Sequence, residues 1–506
     1  MKPKIRSAGA FPEERPADQR KSGVILSYLS EGIQIVSTLL YTPIMLRILG
    51  QSEYGLYQLA GSFTAYLGLL SFGFEGAYIR FYARAGAEKD PDGTARLNGM
   101  FLVIFLCVSL LCLLCGGVMV CNIRAVFGGG LTEGEYRTAK VLMVLMTAGM
   151  ALTFPNMVFR CNAAAHERFV FQRLLTIAQK LLDPFLTLPL LLLGYGSVGM
   201  AAVGLLLKIA VLVSNICFCR KRLRIRFVFR GFRLSLLKEM GIFTFFIFLN
   251  QVIDLVNANV DKILLGQMLG TAPVAVYGLA LQIHNMYVGF SVPVSHVSVP
   301  QVHRIAAQGE GEDRFSRLFI RVGRIQFLVL GLILTGFVFF GRAFMEFWGG
   351  EGYGEAYDTA LWLLVPMTVP LMQNIGPEIL RAKDKHRVRS VVYLGIAAAN
   401  VLLSIPLIRV FGPAGAAAGT AVSLLAGNIL FMNWYYWKKI GMDIPGFWRS
   451  IGKTLPVLAV PCAFGLATRL LLPLEHFLVF AGCVGAYTAI YGVSVWVWAK
   501  RFNAGQ

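Results

Sequence analysis

Residues 101–121 read FLVIFLCVSLLCLLCGGVMVC, a stretch of the chain without a charged side chain. An apolar run of about 18 or more residues is long enough to cross the hydrocarbon core of a membrane as a helix. The whole 506-residue chain shares this character, because 56% of its residues are hydrophobic and only 15% are charged. Soluble globular chains average about 25% charged residues. The composition therefore excludes a soluble enzyme, a disulfide-rich secreted protein and a disordered scaffold.

Fourteen apolar segments follow one another along the chain. The length of each segment is near the roughly 20 residues that a membrane-spanning helix needs. This is too long for a membrane-spanning barrel strand, which has about 9–11 residues. The segments are 24–46, 56–79, 98–121, 141–159, 174–193, 198–219, 241–265, 273–299, 322–341, 359–380, 390–411, 413–437, 454–472 and 477–499. We therefore predict an all-α integral membrane protein with about 14 transmembrane helices.

Basic residues are distributed unevenly across this topology. If the N-terminus is cytoplasmic, 37 of the 47 Lys and Arg residues lie on the cytoplasmic side and six lie outside. This asymmetry is the positive-inside pattern of membrane proteins and predicts that both termini are cytoplasmic. We interpret the basic run 220–226 as an anchor for anionic membrane lipids. We expect no nucleic-acid partner, although the net charge is +20.

The chain repeats itself at a shift of about 220 residues, since Leu49–Tyr57 matches Leu269–Tyr277. The shift spans six predicted segments, so both copies enter the membrane from the same side and form parallel repeats. The predicted units are a cytoplasmic N-terminal tail (1–23), a six-helix bundle (24–219), a basic cytoplasmic linker (220–240), a second six-helix bundle (241–437), and two extra helices with a short cytoplasmic tail (438–506).

Polar side chains occur at helical spacing in the first and seventh segments, which the repeat makes equivalent. The two sets are Glu31, Gln34, Thr38 and Tyr41 in the first segment, and Asn250, Asp254, Asn257 and Asp261 in the seventh. Steps of three and four residues place each set on one face of its helix. Because polar groups are costly in hydrocarbon, we interpret the two faces as walls of one central cavity. The alternative is that they join helices through hydrogen bonds.

Other charged residues in or near the segments are candidates for binding a substrate phosphate or for gating. They are Arg47, Glu75, Arg80, Lys208 and Lys262. Lys262 follows Asp261 directly, so its side chain points about 100° away around the helix. Lys180 and Asp183 are three residues apart and are interpreted as a structural pair.

The sequence offers little for catalysis or metal binding. None of its nine cysteines has the CxxC and histidine spacing of a zinc site. No phosphate-binding loop with a lysine is present, and no polar stretch is long enough to form a catalytic domain. We therefore predict that the chain is not an enzyme and has no metal site and no cofactor.

Two neighbouring stretches carry a family resemblance. Residues 41–57 read YTPIMLRILGQSEYGLY, and residues 70–81 read LSFGFEGAYIRF. They resemble the polysaccharide-transporter branch of the MOP superfamily, the Wzx-type lipid-linked oligosaccharide flippases. The resemblance implies a V-shaped, MATE-like pair of bundles that works by alternating access in the bacterial cytoplasmic membrane. It implies a glycan on an isoprenoid pyrophosphate as substrate, turned from the cytoplasmic to the outer leaflet, and polysaccharide polymerase machinery as a partner.

Other classes of function remain as alternatives. The nearest is a MATE-type antiporter for cationic drugs or metabolites, which the carboxylates of the seventh segment would suit. A non-transporting membrane scaffold is a third alternative. A membrane-embedded glycosyltransferase is disfavoured, because the sequence lacks the long extramembrane loops that such enzymes use. Glu31, Asp254 and Asp261 are candidates for binding a coupling Na⁺ or H⁺. A cavity within one chain predicts a monomer.

Overall fold

The computed structural model describes residues 16–87, 90–231, 234–309, 311–383 and 385–504. Every regular element within these ranges is a helix, and none of the described residues forms a strand. This confirms the predicted all-α fold. The first part of the predicted N-terminal tail, residues 1–15, lies outside the described residues.

Helices α1 to α7 precede the basic linker. They are α1 (Pro16–Leu67), α2 (Phe74–Ala87), α3 (Pro91–Cys121), α4 (Ile123–Phe127), α5 (Glu133–Ala165), α6 (Phe169–Leu192) and α7 (Gly196–Lys221). The long α1 is two crossings joined by a sharp turn, because Gly50 has a φ of 72°. Glycine adopts this left-handed region without the steric cost that other residues pay.

Helices α8 to α17 follow the linker. They are α8 (Leu234–Leu269), α9 (Thr271–Ala307), α10 (Glu312–Gly349), α11 (Glu355–Met372), α12 (Gly376–Ala382), α13 (His386–Leu424), α14 (Met432–Lys438), α15 (Ile444–Thr454), α16 (Ala459–Leu471) and α17 (Phe477–Ala504). A π-helical stretch, Leu425–Phe431, joins α13 to α14. Gly412 turns the chain inside α13, with a φ of 56°.

The described helices account for the fourteen predicted crossings. Nine stretches of the described residues are long and apolar enough to span a membrane. Two of these, Leu29–Tyr82 and Val388–Lys438, have 54 and 51 residues and so can cross twice each. Helices α8, α9 and α11, which contain most of the predicted segments 241–265, 273–299 and 359–380, supply the remaining three.

The repeat is visible in the turns. Gly50 joins the first two crossings, and Gly270, with a φ of 88°, joins α8 to α9 at the equivalent position. Both turns lie at the same end of the bundle, which we call the Gly50 end. The basic linker lies at the opposite end, which we call the basic end.

The two repeats share one hydrophobic core. The largest cluster of buried apolar side chains includes Leu46, Leu59 and Phe127 before the linker, and Leu279 and Tyr287 after it. Burial of apolar side chains against one another excludes lipid and fixes the helices in register. Helix α1 is central to this arrangement, since it contacts α5, α6 and α7 of its own repeat and α8, α9 and α10 of the other.

The linker crosses the basic end as an extended strap. The Val228 amide donates to the Ala95 carbonyl oxygen at 3.0 Å, and the Asn98 side-chain amide donates to the Arg226 carbonyl oxygen at 3.1 Å. Leu223, Ile225 and Phe227 are half-buried, while the arginines that alternate with them are exposed. The hydrogen bonds tie the strap to α3, the Phe227 ring contacts Phe159 of α5, and the alternation leaves the positive charges on the surface.

Candidate functional site

A polar cavity of about 600 Å³ lies between the two repeats. Helices α1 and α6 form its walls on one side, and α8 and α9 form them on the other. Its lining is rich in amides, hydroxyls and charged groups: Gln34, Ser37, Thr38, Tyr41, Thr42, Met45, Tyr54, Tyr57, Gln58, Thr176, Gln179, Lys180, Asp183, Pro184, Lys262, Gly278, Leu281, Gln282 and Asn285.

The wall from α1 carries most of the predicted stripe. Gln34, Thr38 and Tyr41 line the cavity, and the Gln34 side-chain amide donates to Thr38 Oγ1 at 3.0 Å. Steps of four and three residues bring the three side chains to one face of the helix. Glu31, one turn earlier, is exposed and lies 3.6 Å from the Lys180 ammonium. It therefore neutralises a charge of the cavity wall.

The wall from α6 was not predicted. Lys180 and Asp183 both line the cavity, and Lys180 Nζ contacts Glu31 and donates to the Ser30 carbonyl oxygen. Asp183 has no hydrogen-bond or ion-pair partner among the described side chains. The interpretation of Lys180 and Asp183 as a structural pair is therefore wrong. The available signal was the polar spacing of Thr176, Gln179, Lys180 and Asp183 within one apolar segment.

The wall from α8 contributes one charged group, Lys262. Its side chain is only 9% exposed, and it lines the cavity. No hydrogen-bond or ion-pair partner reaches the Lys262 ammonium among the described residues. An unpaired ammonium in a half-enclosed polar cavity is a strong attractor for an anion. Of the five predicted phosphate or gating residues, Lys262 is the one that reaches the cavity.

Asp261 faces away from this cavity, which corrects the prediction that it lines the central wall. It is 2% exposed and lies between α8, α9 and α13. Tyr277 Oη and Thr420 Oγ1 donate to its carboxylate at 2.8 Å each, Ser404 Oγ donates at 3.0 Å, and Asn400 Nδ2 donates at 3.4 Å. The reason is helical rotation: Asp261 and Lys262 differ by about 100°, so only one of them can face α1.

The rest of the polar stripe on α8 also lies outside the cavity lining. Asn250 Oδ1 accepts a hydrogen bond from Ser390 Oγ of α13 at 3.0 Å. Asp254 is exposed and Asn257 is half-buried. The stripe is continuous, as its spacing predicts, but α8 packs extensively against α13 and directs this face there.

Of the remaining phosphate or gating candidates, Arg47, Glu75 and Lys208 contact neighbouring helices, and Arg80 is exposed. Arg47 Nη2 donates to the Phe347 carbonyl oxygen at 3.4 Å and so connects α1 to α10 of the other repeat. Glu75 pairs with Arg160 within the first repeat, and Arg80 is exposed on α2. Lys208 of α7 packs over Gly149 of α5, where an added Cβ would lie 3.2 Å from Lys208 Nζ.

Hydroxyl and carboxylate groups join the repeats at the Gly50 end. Ser52 Oγ and Thr271 Oγ1 both donate to Glu135 Oε1, the latter at 2.8 Å. Glu135 is positioned by a capping box with Thr132 at the start of α5. Gly55 permits the contact, because a Cβ there would lie 1.9 Å from the Thr271 carbonyl oxygen. We call Ser52, Glu135 and Thr271 the outer cluster.

The repeats also touch toward the basic end. The Phe72 and Phe248 rings have centroids 5.1 Å apart, and a Cβ at Gly73 would lie 2.8 Å from Ile247 Cγ2. Phe72 and Gly73 precede α2, whereas Ile247 and Phe248 belong to α8. The polar cavity therefore lies between two contact regions, one toward each end of the bundle.

Glu53, next to the outer cluster, caps α7. Its Oε1 accepts hydrogen bonds from the Ser197 backbone amide at 2.6 Å and from Ser197 Oγ at 2.8 Å.

We expect Glu53→Ala to lower the free energy of unfolding by about 1–2 kcal/mol, the usual cost of losing a helix cap. Thermal unfolding in detergent would measure it. Glu133→Ala is the control, since its exposed pair with Arg124 contributes little. Equal melting temperatures for wild type and Glu53→Ala would contradict the capping role.

Two helical repeats around a polar cavity define a multi-pass membrane protein of the transporter class. Residues 21–306 match the family model described as "Polysaccharide biosynthesis protein". The match covers more than half of the chain, which therefore belongs to this family. No curated protein matches the sequence.

The fold is that of the MOP superfamily. A lipid II flippase, MurJ, in an inward closed conformation is similar over 95% of this chain and 99% of its own, with 14% identity and a TM-score of 0.73. An inward-facing multidrug resistance MATE transporter is similar over 86% and 99%, with 14% identity and a TM-score of 0.62. The Vibrio cholerae MATE transporter VcmN in the bent form is similar over 87% and 98%, with 13% identity and a TM-score of 0.52.

Proposed function

We propose that this protein is a flippase for isoprenoid-pyrophosphate-linked oligosaccharides, acting by alternating access in cell-surface polysaccharide synthesis. The observation that carries the proposal is Lys262, a buried ammonium without a partner among the described residues, in a cavity between the two repeats. The membership in a polysaccharide biosynthesis family supports it.

Lys262 gives the cavity a local binding point for an anionic head group. Glu31 offsets Lys180, and the formal charges of Asp183 and Lys262 cancel, so an anion would bind to the ammonium of Lys262 rather than to a net positive lining. Lys262 comes from the second repeat, whereas Lys180 and Asp183 come from α6 of the first. A lysine ammonium binds phosphate oxygens as a compact point charge. A diphosphate between the repeats would bridge Lys262 to the opposite wall and exchange water for protein contacts.

The uncharged lining suits sugars. Gln34, Gln179, Gln282 and Asn285 offer amides, and Tyr41, Tyr54 and Tyr57 offer rings with hydroxyl groups. A sugar head group cannot cross hydrocarbon unaided, because polar groups pay heavily for leaving water. Amides and hydroxyls replace the hydration of a glycan during passage.

We place the basic end in the cytoplasm of a bacterial cell. The exposed arginines of the strap lie there, as the positive-inside pattern requires. Anionic lipids of the cytoplasmic leaflet would bind these charges. The protein would act as a monomer, because one chain supplies both walls of the cavity, and would pass its product to a polysaccharide polymerase.

We place the coupling site at Asp261. Its carboxylate accepts hydrogen bonds from the hydroxyls of Tyr277, Ser404 and Thr420 and from Asn400 Nδ2. The oxygen of the Asn400 amide accepts from the same Ser404 and Thr420 hydroxyls, so several side-chain oxygens lie close together. Hard cations are bound by oxygen ligands of this kind, and a proton would also satisfy a buried carboxylate. The gradient of Na⁺ or H⁺ would thereby drive the exchange between states.

A second function, antiport of a cationic drug or metabolite, is favoured by Asp183. This carboxylate lines the cavity without a partner among the described side chains. If this protein is an antiporter, its expression should confer resistance to cationic dyes or fluoroquinolones. If it is a flippase, its expression should not change that resistance.

Depletion of the protein in its host tests the proposal. We expect one isoprenoid-linked glycan to accumulate on the cytoplasmic leaflet, because its transport to the outer leaflet stops while its synthesis continues. Mass spectrometry of extracted lipids measures the accumulation and identifies the glycan. Wild-type protein restores the lipid profile, and Lys262→Gln does not. An unchanged profile in a host without a second flippase would refute the proposal.

A further inference from the structure

Two charged groups of the polar cavity have no counter-ion among the described residues. Lys180 contacts Glu31, whereas Asp183 and Lys262 have no ion-pair partner and form no pair with each other. Asp183 belongs to α6 of the first repeat, and Lys262 belongs to α8 of the second. Each lies within about three helical turns of the end of its helix at the Gly50 end. The two charges therefore face the cavity from different repeats at a similar depth.

The surroundings of Asp183 are aromatic and polar. Tyr41 and Tyr57 of α1 line the cavity together with it, and its carboxylate lies close enough to their hydroxyls to interact with them electrostatically. Gln179, one turn before Asp183 on α6, also lines the cavity. We call Tyr41, Tyr57, Gln179 and Asp183 the Asp183 corner.

The Asp183 corner suits an uncharged sugar. A carboxylate without a partner can accept hydrogen bonds from two neighbouring hydroxyls of a sugar, and hydrogen bonds to an ionised acceptor are stronger than those between neutral groups. Tyrosine rings offer an apolar surface on which the C–H face of a sugar can pack. A phosphate or a uronic acid would instead bring a second negative charge next to Asp183, and such a repulsive contact discriminates against a ligand.

We infer that the Asp183 corner is the subsite for the sugar attached to the diphosphate, and that it selects an uncharged sugar over a uronic acid at this position. The inference rests on the proposed function, in which Lys262 holds the diphosphate. The sugar next to that diphosphate would extend from the wall of the second repeat toward Asp183 of the first. A cavity of about 600 Å³ encloses a small-molecule ligand, so selection is limited to the sugars nearest the diphosphate.

Binding of three short-chain probes tests the inference. The probes are farnesyl diphosphate, farnesyl diphospho-glucose and farnesyl diphospho-glucuronic acid, titrated onto the purified protein in nanodiscs. We expect wild type to bind the glucose probe about 30-fold more tightly than the glucuronic acid probe, because the latter places like charges side by side. Asp183→Asn keeps the shape of the side chain and removes its charge, so it should reduce this ratio to about threefold or less.

Asp254→Asn is the matched control for this substitution. Asp254 is also a carboxylate of a membrane-spanning helix, but it is exposed and does not line the cavity. The ratio of the two affinities should therefore stay at its wild-type value. An equal reduction of the ratio in Asp254→Asn and Asp183→Asn would show that the discrimination comes from the net charge of the protein, and would overturn the assignment of the Asp183 corner.

The probe without a sugar separates this inference from the proposed function. Lys262→Gln should weaken the binding of all three probes and leave the ratio between the two sugars unchanged. If the binding of farnesyl diphosphate does not depend on Lys262, the proposed function fails. If it does, but wild type and Asp183→Asn show the same ratio, the inference is overturned. Binding of a cationic dye that is lost in Asp183→Asn, with the ratio unchanged, would assign this carboxylate to a cation instead.

Discussion

Lys262→Gln lowers the affinity for an isoprenoid diphosphate roughly 100-fold, and transport falls in proportion. Removing one partner of a buried charge pair costs about 2–5 kcal/mol, and each 1.4 kcal/mol is a factor of ten in affinity. Glutamine keeps most of the side-chain volume and removes the charge. Flux of a fluorescent isoprenoid-diphosphate glycan in proteoliposomes measures the change, with binding to nanodiscs as a second readout.

Lys208→Gln is the matched control for this substitution. Lys208 is another lysine of a membrane-spanning helix; it is half-buried, packs over Gly149 and does not line the cavity. We expect wild-type binding and flux from this variant. Equal losses in both variants would mean that the effect is general destabilisation, and normal flux in Lys262→Gln would remove the assignment of Lys262 to the head group.

Asp261→Asn removes the response of transport to an ion gradient. The substitution preserves the shape of the side chain, but it removes the charge that a buried cation would need. Loss of that charge should weaken ion binding roughly 30-fold or more. Flux in proteoliposomes, with and without a Na⁺ gradient and with and without a pH gradient, measures the response. Wild type should respond to one of the two gradients, and Asp261→Asn should respond to neither.

Two further variants test whether the loss of the gradient response is specific to the charge of Asp261. Asp261→Ala leaves the buried Tyr277 hydroxyl and the Asn400 side-chain amide without their shared acceptor, whereas the hydroxyls of Ser404 and Thr420 can still donate to Asn400 Oδ1. Each buried unsatisfied group costs about 1–3 kcal/mol, so this variant should fold poorly where Asp261→Asn folds well. Asp358→Asn removes a carboxylate from an exposed pair with Arg342 and should keep the gradient response. A full gradient response in Asp261→Asn would place the coupling site elsewhere.

The sequence was sufficient for the fold because the fold depends on signals that act along one helix. Apolar runs predicted the crossings, and the match between Leu49–Gly50 and Leu269–Gly270 predicted two equivalent turns, each of which needs a positive φ. Periodicity also predicted the face of α1 that carries Gln34, Thr38 and Tyr41 into the cavity. In α1 the polar face and the cavity face coincide.

The site could be predicted only in part, because periodicity identifies a face but not the helix that it meets. The stripe on α8 faces α13, and the cavity receives Lys262 from another side of the same helix. Two adjacent charged residues on a helix point in different directions, and only tertiary packing decides which one enters the cavity. The polar face of α6 was overlooked for a similar reason, since Lys180 finds its partner, Glu31, on a different helix.

The outer cluster has a consequence for the balance between conformations. Its hydrogen bonds to Glu135 are contacts between hydroxyls and a carboxylate, each worth about 1.5–3 kcal/mol net. Moving a two-state equilibrium from 1:99 to 99:1 takes about 5.5 kcal/mol of differential binding. Of the two bonds, only the one from Thr271 joins the repeats, because Ser52 and Glu135 both precede the linker. A single bond of this strength changes the ratio of two conformations by about ten- to a hundredfold. The Glu135–Thr271 contact is therefore of a size that the binding of one ligand can offset.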